Sequence, residues 1–319
     1  MTIIQLKYML LVAEHKNFTT AANKSFVTQP TLSIQIQKLE EELGVKIFNR
    51  NTKPVLLTEI GKKIVQQAQK IIEESSRMND IVAQEKGFIG GEFRLGILPT
   101  VMPTLLPMFL KAFVKKYPKV DFKIEELTTN HICQKITEGH LDAGIAATPL
   151  LKDNIIEKSL YYEPFVGYVP PSSPYHKEKK IEIDDLNFSN LLVLEDGHCF
   201  RNHVLNLCKI KDKKSRKFDL KSGSFETLIH LADEGLGMTI LPYLNAIDLP
   251  KEKHVNLKYF KEPAPAREIS LIHSRSQLKL SIISALKSTI SDIVRNILAM
   301  GNIKIIPPLN PSKANSSNN

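Results

Sequence analysis

The sequence predicts an all-α head, a long linker helix and an α/β body. Three observations predict this. Residues 1–57 carry short apolar stripes at helical spacing with little strand-like alternation. Residues 58–87 run polar-rich and proline-free up to Gly87, Gly90 and Gly91. Beyond Gly91, strand-like segments exchange with helical ones in the rhythm of a doubly wound parallel sheet.

Composition agrees. A chain of 319 residues is long enough for two or three domains, and 42% hydrophobic with 24% charged residues suits a globular core. The most apolar stretch, Gly96–Leu110, is broken by Pro99, Pro103 and Pro107, so no membrane span is expected. The N-terminus lacks a cationic start, apolar segment and cleavage site, which implies a cytoplasmic protein. The net charge of +9 is spread along the chain, with 12 Lys+Arg against 9 Asp+Glu in the first 90 residues, and alone it identifies no partner. Three cysteines exclude a disulfide scaffold. No metal-ligand spacing, phosphate loop or Ser/His/Asp set is present, so no cofactor, metal or enzyme activity is expected.

In the head, Ile3, Leu6, Leu10 and Ala13 form one stripe, and a short second helix is expected near Thr19–Ser25. A third helix at Gln29–Leu43 places Leu32, Ile36, Leu39 and Leu43 inward. Its other side presents Pro30, Thr31, Ile34, Gln37 and Lys38, with Thr28 or Gln29 at the start, where free N–H groups can meet phosphates. Gln reads adenine, and Thr or Ile touches a thymine methyl, so this helix suits a major groove. Periodicity alone leaves open the solvated face of an ordinary bundle. In the linker, Ile64, Ala68, Ile71, Ser75, Met78 and Val82 alternate four and three apart, either a dimer seam or a helix packed on its own body.

The body's expected elements are strands at 93–97, 120–127, 142–147, 164–169, 191–195, 237–241, 255–260 and 268–273. Helices are expected at 103–117, 130–140, from 198, at 224–235 and at 277–299, followed by a disordered tail over 306–319.

The run Thr28-Gln29-Pro30-Thr31-Leu32-Ser33, with Ile36, Leu39-Glu40, Leu43-Gly44, Phe48 and Arg50, resembles the LysR-type regulator signature. Phe18-Thr19-Thr20-Ala21-Ala22 and Leu57-Thr58-Glu59-Ile60-Gly61 match its flanks. The resemblance implies a winged helix-turn-helix over 1–58 and a dimerisation helix over 59–90. It also implies a two-lobed, periplasmic-binding-protein-like regulatory domain over 91–305. Lobe I would take 91–163 and 268–305, lobe II 164–267, with crossings near Tyr162–Phe165 and Pro263–Arg267. Gln29, Pro30, Thr31 and Ser33 would face DNA, and Arg50 with Lys53 would hold phosphates. Partners would be promoter DNA, RNA polymerase and other copies of the chain, paired through 60–86 as a dimer and then a dimer-of-dimers tetramer.

Leu194-Glu195-Asp196-Gly197-His198-Cys199-Phe200-Arg201, with Cys208 nine residues on, resembles the peroxide-sensing OxyR branch of that family. Ile97-Leu98-Pro99-Thr100-Val101 and Ser224-Phe225-Glu226-Thr227-Leu228 do so too. A helix start next to His198 and Arg201 favours a thiolate at Cys199, the form peroxide oxidises to a sulfenic acid. The resemblance makes Cys199 peroxidatic and Cys208 resolving, with Thr100 and Thr129 holding peroxide and Arg267 supplying charge. On a helix the two sulfurs would be separated by a rise of ~13.5 Å, while disulfide-bonded Cα atoms lie at most about 6.8 Å apart, so bonding demands a rearrangement. Read without the family, two helical cysteines are equally core filling, His198 a loop residue, and Thr100 and Thr129 caps. Cys133 reads as structural.

The chain departs from the branch in three places. Ala266-Arg267 stands where paired arginines are usual, Lys209–Lys214 is unusually basic, and Lys217-Phe218 replaces a histidine. Two other functions remain open: a LysR-type regulator responding to a metabolite between the lobes, and a thiol peroxidase using Cys199 as nucleophile.

Overall fold

The computed structural model describes residues 1–50, 52–85, 89–186, 191–207, 220–298 and 302–308. It divides into two compact units, Met1–Lys86 and Gly87–Asn319.

The first unit holds α1 (Ile3–His15), α2 (Phe18–Lys24), α3 (Gln29–Leu43), the ribbon β1 (Phe48–Asn49) and β2 (Leu56–Leu57), and α4 (Glu59–Glu85). Side-chain caps begin the first three helices: Thr2 accepts from Gln5 N, Asn17 from Thr20 N, and Thr28 from Thr31 N. Gly44, at φ 68°, ends α3. Leu6, Met9, Val12, Leu32, Ile36 and Leu39 fill the core. The inner stripe of α1 is therefore turned by one position from the expected one, and Ile3 at 37% and Leu43 at 38% stay exposed. The expected linker seam is partly used at home. Ala68 is buried and Ile64 and Ile71 pack on the head core, whereas Met78 and Val82 remain exposed, beside Ile81. A Cβ at Gly61 would run into the Ile47 carbonyl oxygen, so glycine lets α4 start tight against the ribbon.

The second unit contains β3 (Gly91–Ile97), α5 (Met102–Lys116), β4 (Val120–Glu126), α6 (Thr129–Thr137), β5 (Ala143–Thr148) and β6 (Ile155–Tyr168). There follow β7 (Lys180–Ile181), β8 (Leu191–Leu192), α7 (Cys199–Leu207), α8 (Phe225–Asp233), β9 (Met238–Pro242) and α9 (Tyr243–Ile247). The last are β10 (Leu257–Phe260), β11 (Ala264–Ser274), α10 (Leu280–Arg295) and β12 (Ile303–Ile305). The sheet runs β4-β3-β5-β11-β6-β10-β7.

This sheet corrects the expectation of an all-parallel one. β3 lies parallel to β4 and β5, but β11 is antiparallel to both β5 and β6. The cause is the long pair β6 and β11, each serving two cores. Tyr161 belongs to one cluster with Phe93–Ala147 and Ile269–Leu298, and Phe165 to another with Val166–Phe260. A strand that carries the chain out and a strand that brings it back must run in opposite directions. The first half of β6 is masked in the sequence by Glu157, Lys158 and Ser159, which interrupt the apolar alternation.

The C-terminal expectation is corrected for its first residues, 306–308, while 309–319 lie outside the described residues. β12 pairs in parallel with β11, Ile306 N donates to Ala266 O at 2.8 Å, and the Ile306 side chain is buried in the second core. Among the described residues no helix is long and apolar enough to cross a membrane.

Gly144, in central β5, holds α6 in place by having no side chain: a Cβ there would collide with Ile132 Cγ2 and come within 3.3 Å of Ile272. Gly144→Ala is expected to cost about 1–3 kcal/mol by overpacking, read as a lower urea midpoint, and to displace the helix that bears Thr129.

Candidate redox site and DNA-contact face

Cys199 opens α7. The helix belongs to the second core through Phe200, Val204 and Leu207, yet Cys199 itself packs against the first. The sulfur therefore lies at the seam between the two cores. It is a free thiol, as is Cys133, which is buried in the first core.

Behind the seam is a charge pair. Arg267 on β11 and Glu163 on β6 are each 1% exposed or less. Arg267 donates from Nε to Glu163 Oε2 at 2.9 Å, and Nη2 lies 2.7 Å from the same oxygen. Nη1 donates to Thr100 Oγ1 at 3.0 Å and Nη2 to the Thr100 carbonyl at 3.1 Å. The guanidinium carbon sits 5.2 Å from the Phe200 ring centroid, a cation–π contact beside Cys199. Glu163 uses its other oxygen to accept from Leu244 N at 2.9 Å. Burial and the Glu163 charge hold the Tyr161 hydroxyl well above its ordinary pKa.

Burial pushes the Cys199 thiol up, and Arg267 pulls it back, followed by the Thr129 hydroxyl and the N–H groups of Phe200 and Cys199. Thr129 opens α6; its buried hydroxyl favours the thiolate without making a hydrogen bond of good geometry. The expected bias toward thiolate is thus reversed in the resting fold, because the helix start is enclosed rather than open to water. Arg201 is turned elsewhere, 2.9 Å from Asp196 Oδ1 and bonded to the Leu194 carbonyl. His198 faces Gly223, where a Cβ would come within 2.8 Å of its Nε2. Cys208 lies outside the described residues.

Two residues of this site were missed in the sequence. Glu163 is a lone carboxylate in the apolar run Leu160–Val166, and a buried charge implies a partner. His203 sits four residues after Cys199, fully buried, and its Nδ1 donates to the Cys199 carbonyl at 2.9 Å. Its Nε2 has no hydrogen-bond partner among the described residues. Burial and then the Arg267 charge lower its pKa to about 3.

On the head, Gln29, Pro30, Thr31, Ile34, Gln37 and Lys38 are exposed along α3, and Lys53 on the ribbon turn. Ser33 is half-buried; its hydroxyl accepts from Arg50 Nη1 at 3.0 Å. Arg50 also donates to Glu40 Oε2 at 3.2 Å and stacks on Phe18. Glu40 is buried and caps Ile47 N at 2.7 Å and Phe48 N at 3.2 Å. Arg50 is therefore held by the head itself, with one edge left to the surface.

Two family models match. The bacterial regulatory helix-turn-helix protein of the lysR family covers residues 3–62, and the LysR substrate binding domain covers 86–292. The chain belongs to the LysR family. As a LysR-type transcriptional regulator it is a DNA-binding protein and not an enzyme. It is 32% identical to the hydrogen peroxide-inducible genes activator of Pectobacterium carotovorum over 277 residues, 86% of this chain and 90% of that protein. It is 33% identical to the DNA-binding transcriptional dual regulator OxyR of Escherichia coli over 275 residues, 86% and 89% respectively. The regulator EstR of Acinetobacter baylyi is 32% identical over 279 residues, 85% and 90%. Full-length OxyR from Pseudomonas aeruginosa superposes with a TM-score of 0.73 at 32% identity, covering 91% of this chain and 98% of that one. A mutant OxyR from Corynebacterium glutamicum with H2O2 bound gives 0.64 at 25% identity, covering 95% and 98%.

His203 gives this LysR-type chain an acid-sensitive core. Its folded pKa of about 3 lies below the ordinary 6.5, so between these values the unfolded chain binds a proton that the folded chain refuses. Stability then falls as pH drops below 6.5, by ~1.4 kcal/mol per pH unit. His203→Asn, which keeps a donor toward Cys199, is expected to remove that increment of slope in urea melts between pH 6.5 and 5. Identical slopes would contradict it.

Proposed function

We propose that this chain is a cytoplasmic DNA-binding activator that senses hydrogen peroxide by oxidation of Cys199 and disulfide formation with Cys208. The observation that carries the reading is the setting of Cys199: a helix-opening sulfur at the seam of two cores, with the Thr129 hydroxyl beside it and Arg267 as its cation. That peroxide-inducible activators stand among the relatives at 32–33% identity supports it. Thr100 acts through Arg267, to which it is bonded twice. His198 and Arg201 are assigned to the rim of the pocket, from which peroxide approaches.

The chemistry balances. The Cys199 thiolate attacks one peroxide oxygen, an S–O bond forms as the O–O bond breaks, and the departing hydroxide takes a proton to leave as water. Sulfur is oxidised by two electrons and peroxide reduced by two. The Cys208 thiol then displaces the sulfenic hydroxyl as a second water, closing the S–S bond. α7 runs from Cys199 to Leu207, an axial rise of ~12 Å, while bonded cysteines need Cα atoms within about 6.8 Å. Closing the bond therefore unwinds α7 and strips Phe200, Val204 and Leu207 from the second core. This remodelled surface is the signal passed to neighbouring copies.

On DNA, Gln29, Pro30, Thr31, Ser33, Ile34, Gln37 and Lys38 meet the major groove, and Arg50 and Lys53 the phosphates. Met78, Ile81 and Val82, exposed on the far half of α4, pair with a second copy through residues 60–86. Two dimers form a tetramer that engages RNA polymerase.

A second reading is favoured by one feature. A cavity of about 580 Å³ is lined by Thr100, Glu126, Ser224, Glu226, His230 and Lys253, a size that fits a metabolite. EstR shows that similar identity extends to regulators not named for peroxide.

Peptide mapping after stoichiometric peroxide decides between the readings. The expected product is a 199–208 crosslink, absent in Cys199→Ser, whose promoter response to peroxide is also lost; Cys208→Ser stops at a sulfenic acid that dimedone traps. An unaltered response in Cys199→Ser would move the proposal to the metabolite. On the head, Gln37→Ala is expected to weaken specific binding by about 1–3 kcal/mol with little change for non-specific DNA, measured by fluorescence anisotropy.

A further inference from the structure

Arg267 is the cation that acts on the Cys199 sulfur, and it is not free. One carboxylate oxygen of Glu163 takes its Nε–H at 2.9 Å and lies 2.7 Å from Nη2, while Thr100 takes two further bonds. The other carboxylate oxygen is fastened to Leu244 N, at the start of α9. Glu163 is thus pinned on both oxygens and pins Arg267 in turn. Opposite charges 2.7 Å apart in a site shielded from water partly cancel each other's field beyond the pair.

Among the described residues, Arg267 is the charged group that acts on the Cys199 sulfur. Thr129 brings an uncharged hydroxyl from α6, and His203 on α7 is neutral above a pKa of about 3. Tyr161 on β6 stays protonated. Arg201 is neutralised by Asp196 and turned to the Leu194 carbonyl. His198 packs toward Gly223.

We propose that Glu163 is a positioning residue for the peroxide reaction: it fixes the Arg267 guanidinium against the first turn of α7, offsets part of its charge, and so limits how much Cys199 is thiolate. The inference rests on Cys199 being the peroxide-reactive thiol. Burial remains the main restraint on that thiol; the inference assigns the tether on its supporting cation to a carboxylate on a different strand from the motif.

The test uses the full chain with Cys208→Ser, so that only the first oxidation is followed. The rate of Cys199 oxidation by H2O2 is measured from pH 5 to 10, with thiolate absorbance at 240 nm alongside. Glu163→Gln is expected to lower the inflection by about one pH unit and to raise the rate at pH 7 about tenfold. Glu163→Asp, which keeps the charge, should return the inflection close to the parent value. A purely structural role would reduce amplitude without moving the inflection, and that result, or superimposed profiles, overturns the proposal.

Removing one member of a buried pair can prevent folding, so a paired replacement is made as well. In Glu163→Leu with Arg267→Met the inflection should rise, but by less than in Arg267→Met alone, where the carboxylate acts unopposed; equal inflections overturn the proposal. If Cys199 does not react with peroxide in the parent chain, the functional reading fails instead, which separates the two failures.

Discussion

The buried pair of Glu163 and Arg267 is the constraint around which the regulatory unit is arranged. Each sits on one of the two strands that serve both cores, at the point where one core gives way to the other. A charge at that depth is tolerated only when it is paired and hydrogen-bonded, and four contacts to Glu163 and Thr100 engage all three guanidinium nitrogens. Satisfying Arg267 fixes the loop after β3 through Thr100 and the start of α9 through Glu163 and Leu244. The Phe200 ring then closes over the guanidinium, which sets the first turn of α7. Packing of the seam and electrostatics of the sulfur follow from one arrangement.

The head repeats this logic on a smaller scale. Glu40 is buried so that it can cap the two amides that begin the ribbon, and Arg50 reaches it from the surface. The same arginine holds Ser33 and covers Phe18. A residue that the motif assigns to phosphate contact therefore also fastens α3 to the ribbon, so its orientation is set before DNA arrives.

Much of this was legible in the residues. The helices of the head, the linker and the α/β body could be read from spacing, because helical stripes and glycine stops are local signals. The residues expected to face DNA and the Cys199 segment are legible only through resemblance to a motif. What escaped depends on long-range pairing. The first half of β6 carries Glu157, Lys158 and Ser159 on a strand that the sheet accommodates, and nothing local announces an antiparallel return. Glu163 takes its meaning from partners 104 and 81 residues away, and His203, bonded within its own helix, from a burial that no local pattern announces. The inward face of α1 was misjudged by one residue for a similar reason: Met9 and Val12 face α2 and α3 only once those helices are in place.

Enclosure of the Cys199 sulfur has a consequence for chemical selectivity. Although the residue keeps some surface, the sulfur itself is wrapped by protein and its ionisation is opposed. Bulky electrophiles and charged oxidants meet a steric and dielectric barrier there. For a small neutral molecule that donates and accepts hydrogen bonds, the buried Thr129 hydroxyl beside the sulfur is a ready partner. In the reaction proposed above, such an enclosure would screen oxidants by size and charge before any bond is made, so that discrimination among them would lie in access as much as in nucleophilicity.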